Sequence, residues 1–216
     1  MSDMRHPDSG WLMDYACGHL SPAFDIVIAT HLLGCADCRA DLGFAERLAT
    51  EVMLNDGAES PALTAEDILG STRSAPDMPG WRPSGAVCGA LDLTAVAGNY
   101  LALGEPALRW RGVGGGVSVA KLRGEEGDRL WLLRAKPGAV LPRHSHCGSE
   151  LTVVLHGAYV IDDQIYSAGD LEDADESTVH QPIVTTRSEC LCLAATAGPL
   201  RFAGWAARLA QRYLGI

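Results

Sequence analysis

The sequence predicts a two-domain α + β chain, with an N-terminal helical bundle followed by a C-terminal antiparallel β-barrel. Three observations predict it. The first seventy residues carry helix starts and three-to-four spacing of apolar residues. Residues 71–86 (STRSAPDMPGWRPSGA) are rich in Pro, Gly and Ser, which is linker composition. After residue 90 the pattern changes to short apolar runs bounded by Gly and charged turns, the rhythm of an antiparallel sandwich or small barrel.

Taken in order, Ser21-Pro22 reads as an N-cap with Pro at the first helical position. Residues 23–33 (AFDIVIATHLL) follow, apolar on more than one face. A second start after Cys35 opens a helix to about Met53, in which Leu42, Ala45, Leu48 and Val52 share one face. A short helix is expected at 65–69. The helical domain is assigned to 1–76, the linker to 77–89 and the β-domain to 90–200. The β-runs are GVSVAKL, RLWLLRA, ELTVVLHGAYVI, QPIVTT and ECLCLAATA, and the tail 201–216 reads as a short amphipathic helix.

Composition narrows the function. Of 216 residues 47% are hydrophobic, enough for a sizeable core, and the formal net charge is −10. An acidic chain is a poor direct binder of nucleic acid, because the phosphate backbone demands a basic face. That weighs against a zinc-finger DNA-binding protein. No window has the 18 or so apolar residues of a membrane span, and the polar start MSDMRHPDSG lacks the apolar stretch of a signal peptide. The expected location is the cytoplasm. Seven Cys is an odd number, and in a reducing compartment clustered Cys and His indicate metal or redox chemistry before disulfides.

The first cluster is His31-x3-Cys35-x2-Cys38. One helix end can present His31 and Cys35, and a tight turn aims the two sulfurs at one point. Tetrahedral Zn²⁺ takes this N/S mixture. His6 is the chosen fourth ligand, with Cys17 and His19 as competitors. A thioredoxin-type redox pair would need a βαβ context, which is absent. The other alternative is inert packing of buried Cys.

The second cluster is His144, His146 and Glu150. Residues two apart on a strand share a face, so both His can face a barrel interior. Glu150 follows after a Cys-Gly-Ser turn. Nitrogen and carboxylate ligands suit Zn, Fe, Mn or Ni. Against this stands the reading of polar residues on an ordinary strand. His156 reads as a surface or strand-end residue. Cys147 lies beside the His pair, and Cys190 and Cys192 share one face of a strand. With Cα atoms roughly 6.5–7 Å apart, a direct bridge between those two would strain a regular strand. They are candidates for sensing, or two small hydrophobes in packing.

Two resemblances rest on these residues. The spacing His6-x24-His31-x3-Cys35-x2-Cys38 resembles the zinc-binding anti-sigma domain. That implies a helical bundle that clamps an extracytoplasmic-function-type sigma factor, and it supports His6 as fourth ligand. The spacing Gly138-x5-His144-x-His146-x3-Glu150-x6-Gly157 resembles the first cupin motif. The second cupin motif is looser. Gly169 and His180 keep its ends, but Asp175 stands for the usual Pro, Ser177 for the second Gly and Val184 for the usual Asn. His180 is nonetheless the fourth candidate ligand. Three His and a Glu can complete a tetrahedral zinc site, or leave two positions open on six-coordinate iron.

In this order and at this length, the two halves resemble the ChrR family. The resemblance implies an anti-sigma factor, not an enzyme, with Zn²⁺ in the first site and Zn²⁺ (or Fe, Mn, Ni) in the second. It implies a sigma-factor partner, no direct nucleic-acid or membrane binding, and a cupin that responds to singlet oxygen or organic peroxide. The rival is a dioxygenase-like cupin metalloenzyme with a zinc-stabilised accessory domain.

Overall fold

The computed structural model describes residues 4–55, 108–122 and 128–202. The helix expected at 65–69, the linker 77–89 and the boundary at 76 lie outside them.

Three helices come first: α1 (Ser9–Ala16), α2 (Pro22–Gly34) and α3 (Ala36–Asn55). Asp8 caps α1, its Oδ1 accepting from Gly10 N at 2.8 Å. Ser21 occupies the N-cap of α2 ahead of Pro22, but its hydroxyl makes no capping bond. Cys35 is extended (φ −100°, ψ 110°) and breaks the chain between α2 and α3. Its Sγ accepts from Cys38 N at 3.3 Å, as a serine would at an N-cap. Arg39 closes the other side of this corner by donating to the last-turn carbonyl of Leu32 at 2.6 Å.

Twelve strands follow among the described residues: β1 (Arg111–Gly114), β2 (Val117–Lys121), β3 (Asp128–Ala135), β4 (His144–Ser145), β5 (Glu150–His156), β6 (Ala158–Ile161), β7 (Gln164–Ser167), β8 (Leu171–Ala174), β9 (Val179–His180), β10 (Ile183–Val184), β11 (Cys190–Ala197) and β12 (Arg201–Phe202). They pair antiparallel in a six-stranded sheet ordered β1-β2-β3-β11-β5-β8 and two three-stranded sheets, β10-β6-β7 and β12-β4-β9. The cupin architecture is thus built from separate sheets rather than one closed ring. Strands of two residues such as β4, β9, β10 and β12 are too short to carry a continuous ladder around it. Arg201–Phe202 is strand, not the start of a tail helix, because it pairs with β4. Residues 203–216 are outside the described set.

The central strands are buried on both faces. In β11, Cys190, Cys192, Ala194 and Thr196 line an internal cavity, whereas Leu191, Leu193 and Ala195 pack outward in one core with α2. In β3, Trp131 and Leu133 face the cavity, and Leu130 and Leu132 face the helices. Phe24, Val27, Ile28 and Leu32 of α2 join Leu151, Val153 and Leu171 in that shared core. This explains why α2 is apolar on more than one side: it lies between the sheet and its fellow helices. Each fully buried Ile or Val there contributes roughly 1.5–3 kcal/mol.

On α3 the expected apolar face is only half used. Ala45 is buried and Leu42 partly so, but Leu48 and Val52 are 43% and 60% exposed. The reason is length. The eight residues of α1 span about 12 Å and the twenty of α3 about 30 Å at 1.5 Å per residue, so α1 cannot cover its partner. Among the described residues, no helix is long and apolar enough to cross a membrane.

Candidate metal centres

The α2–α3 corner positions the first cluster. His31 lies in the last turn of α2, Cys35 in the break and Cys38 in the first turn of α3, and all three are buried. His6 comes from the segment before α1. His6 Nδ1 lies 3.2 Å from Cys38 Sγ and 3.4 Å from Cys35 Sγ, and His31 Nε2 lies 3.3 Å from Cys38 Sγ. Their candidate ligand atoms lie within 4.8 Å of one another. Cys17 and His19 are exposed and stand outside this group.

The donor chemistry fits a cation. Gly169 O can only accept, so His31 Nδ1 donates to it at 2.9 Å and Nε2 turns a lone pair toward the sulfurs. Burial holds His31 below its ordinary pKa, which keeps the ring neutral. Burial and neighbouring Cys35 push the Cys38 thiol up to about 12. Without a cation that thiol stays protonated at neutral pH; a bound metal would hold it as thiolate. Edges of a tetrahedral zinc site with one N and one S are about 3.5 Å, near the distances found.

The second cluster sits inside the sheets. His144 is on β4, His146 on the turn after it, Glu150 at the start of β5 and His180 at the end of β9; all are buried. Cross-strand pairing of His144 with His180 brings two of them face to face. His180 Nε2 lies 3.0 Å from His144 Nε2 and 3.1 Å from His146 Nε2. His144 Nδ1 donates to Pro142 O at 2.9 Å, and His180 Nδ1 donates to Glu172 Oε1 at 2.6 Å. Both Nε2 atoms therefore present bare lone pairs to each other. That arrangement is repulsive unless a cation sits among them. His146 Nδ1 is buried without a hydrogen bond, its 3.4 Å approach to Glu150 Oε2 being poorly aligned. The donor set fits a metal that takes imidazole and carboxylate.

The charges of His144 and Glu150 agree with that reading, and that of His180 runs against it. Burial keeps His144 below its ordinary pKa. Burial works to raise Glu150, but His146 and the other imidazoles outweigh it, and the carboxyl lies below its usual value. Burial works to lower His180, yet its bond to Glu172 wins and the ring is raised.

Two residues of this site were not anticipated. Glu172 holds His180, and Tyr159 OH donates to Glu172 Oε2 at 2.6 Å. Glu172 lies in the acidic run LEDADE, which reads as a solvated turn; only the alternation of β8 turns it inward. The looser second motif also has a local explanation. Asp175 Oδ1 accepts from Ser177 N, Thr178 N and both hydroxyls at 2.7–3.1 Å, making the turn that Pro and Gly would otherwise make.

The cluster opens into a cavity of about 530 Å³ with mostly apolar walls, including Val119, Trp131, Leu133 and Phe202. Cys190 and Cys192 line it with their Sγ atoms 3.6 Å apart. The Cys190 contact and burial keep the Cys192 thiol well above its ordinary pKa. Cys147 is half-buried, and Arg201 Nε donates to its Sγ at 3.0 Å. His156 is exposed.

Residues 103–200 match the ChrR cupin-like domain. Over 219 aligned positions, covering all of both chains, the protein is 36% identical to the anti-sigma-E factor ChrR of Cereibacter sphaeroides. It is also similar to the crystal structure of Rhodobacter sphaeroides SigE in complex with the anti-sigma ChrR. There the identity is 34%, the TM-score 0.67, and the match covers 89% of this chain and 98% of that one. The chain belongs to the ChrR family of anti-sigma factors.

Proposed function

We propose that this protein sequesters an extracytoplasmic-function-type sigma factor through its N-terminal helices, held in shape by Zn²⁺ on His6, His31, Cys35 and Cys38. The observation that carries this reading is the end-to-end similarity to a ChrR protein, with a relative solved in complex with SigE. Those relatives are regulators rather than enzymes, and the chain is read the same way. Four protein ligands close the first site, so its zinc is structural, and zinc of this kind contributes folding free energy directly.

The docking surface is the outer stripe of α3. Phe44, Leu48 and Val52 are 62%, 43% and 60% exposed and fall four residues apart, continuing the line of exposed Asp37 and Asp41. An apolar stripe edged by carboxylates suits a partner with a basic rim and an apolar groove. We assign the helical domain to 1–76 and the linker to 77–89, of which 56–89 lie outside the described residues.

The cupin half acts as the responsive part. His144, His146, Glu150 and His180 hold Zn²⁺ (or Fe, Mn, Ni), and oxidation or modification near it, with Cys147, Cys190 and Cys192 as candidates, favours release of the sigma factor. Singlet oxygen or organic peroxide is the stimulus. The protein works in the cytoplasm, without direct nucleic-acid or membrane binding. The test is co-purification of the full chain with its cognate sigma factor and inhibition of transcription by that factor in vitro. A complex and inhibition are expected; no complex would end the assignment. The cavity beside the second cluster favours one rival, a dioxygenase-like cupin. Turnover of a small diketone or thiol by the iron-loaded protein would support that rival.

A further inference from the structure

The two metal clusters lie on opposite faces of one short stretch of chain, Gly169–Asp173. On its helix side, Gly169 O accepts from His31 Nδ1 at 2.9 Å. Asp170 accepts from Arg5 N through Oδ1 at 3.0 Å and from Ser167 N through Oδ2 at 2.7 Å. Leu171 N donates to Arg5 O at 3.1 Å, so the residue just before His6 is held along the edge of β8. Asp173 Oδ2 accepts from Trp11 Nε1 at 2.9 Å and Asp8 N at 3.2 Å, just beyond His6. On the cavity side, Glu172 accepts from His180 and from Tyr159, both at 2.6 Å.

Gly169 is suited to this place by its backbone. Its φ is +97°, and a Cβ there would come within 3.2 Å of Met4 Cε. The stretch thus supplies the outer hydrogen-bond partner to one His of each cluster and fixes the segment that carries His6. Such partners orient a ligating imidazole, and losing one costs typically 10–100-fold in metal affinity.

We infer that Gly169–Asp173 couples the two metal sites, with Glu172 and the Gly169 carbonyl as the positioning groups. This rests on the reading that both clusters bind metal. With a metal on His180, Glu172 is fixed and fixes the stretch, which holds His31 through the Gly169 carbonyl and holds Arg5 and Asp8 on either side of His6. Emptying the cupin site therefore loosens the ion in the His/Cys site, and linkage requires the reverse effect to be equal.

Cobalt(II) separates the two sites, since only the first has thiolate ligands to give sulfur-to-cobalt absorbance. The full-length protein is loaded with Co²⁺, total metal is counted by mass spectrometry, and loss of that absorbance to excess EDTA is timed. The unaltered chain is compared with His144→Ala and with Glu172→Gln. Since either variant risks misfolding, the unaltered chain is also compared before and after the second site is filled. Two ions per chain are expected, with absorbance lost on the order of 10-fold faster when the second site is empty or Glu172 is replaced. Fewer than two ions overturns the metal reading and the coupling with it. Two ions and an unchanged loss rate overturns the coupling alone.

Discussion

At the scale of single residues, the protein's chemistry is decided by where imidazole protons sit. His31, His144 and His180 each donate through Nδ1 to a carbonyl or carboxylate, leaving Nε2 bare toward a cluster. The ligand candidates were legible because they lie close in sequence: three and four apart at a helix end for His31, Cys35 and Cys38, and two apart for His144 and His146, although the strand expected to carry both stops at Ser145 and leaves His146 on the turn. Glu172 and Tyr159 were not, since their partnership depends on how β6 and β8 pack, which no local pattern encodes. Glu150→Gln is expected to lower bound metal from two ions per chain toward one, measured by mass spectrometry; an unchanged count would remove Glu150 from the ligand set. Tyr159→Phe leaves a buried carboxylate oxygen with one donor fewer. Its expected cost is about 1–3 kcal/mol in urea unfolding, and a neutral result would show that water replaces the hydroxyl.

At the scale of elements, the boundaries followed familiar signals. Ser21-Pro22 opens α2, Cys35 separates α2 from α3, and α3 reaches Asn55, close to the expected Met53. The apolar runs appear as β2, β3, β5 with β6, β10 and β11. Of the short strands, β9 and β12 were missed and β4 is shorter than the strand expected for His144 and His146; each consists of two residues and owes its extension to pairing with its neighbours. Packing gives two predictions here. Ile28→Ala removes a side chain with no exposure, between α2 and the sheet, and should cost about 2–5 kcal/mol in denaturant unfolding. Phe44→Asp, on the exposed stripe of α3, should leave the unfolding midpoint nearly unchanged yet weaken sigma-factor binding at least about 10-fold, as expected for an aromatic anchor of an interface. Full binding by this variant would move the docking surface elsewhere.

At the scale of the molecule, the helices and sheets share one core. Its origin was visible in part. The run CLCLAA is continuously apolar rather than alternating, which suits a strand covered on both faces. What covers the outer face was not legible, because α2 could equally have packed within an independent bundle. The structure sets α2 against β3, β5 and β11, and places both clusters on either side of β8. A change at the cupin metal thus has a short physical route to the helices that would hold a partner. In the proposed function, zinc on His6, His31, Cys35 and Cys38 maintains a sigma-binding surface. The most direct test is the affinity of the full-length protein for its cognate sigma factor, by calorimetry, for the unaltered chain and for His31→Ala and Cys35→Ala. Tight binding that is lost in both variants, together with one bound zinc, is the predicted result. Equal affinity in all three chains would contradict it.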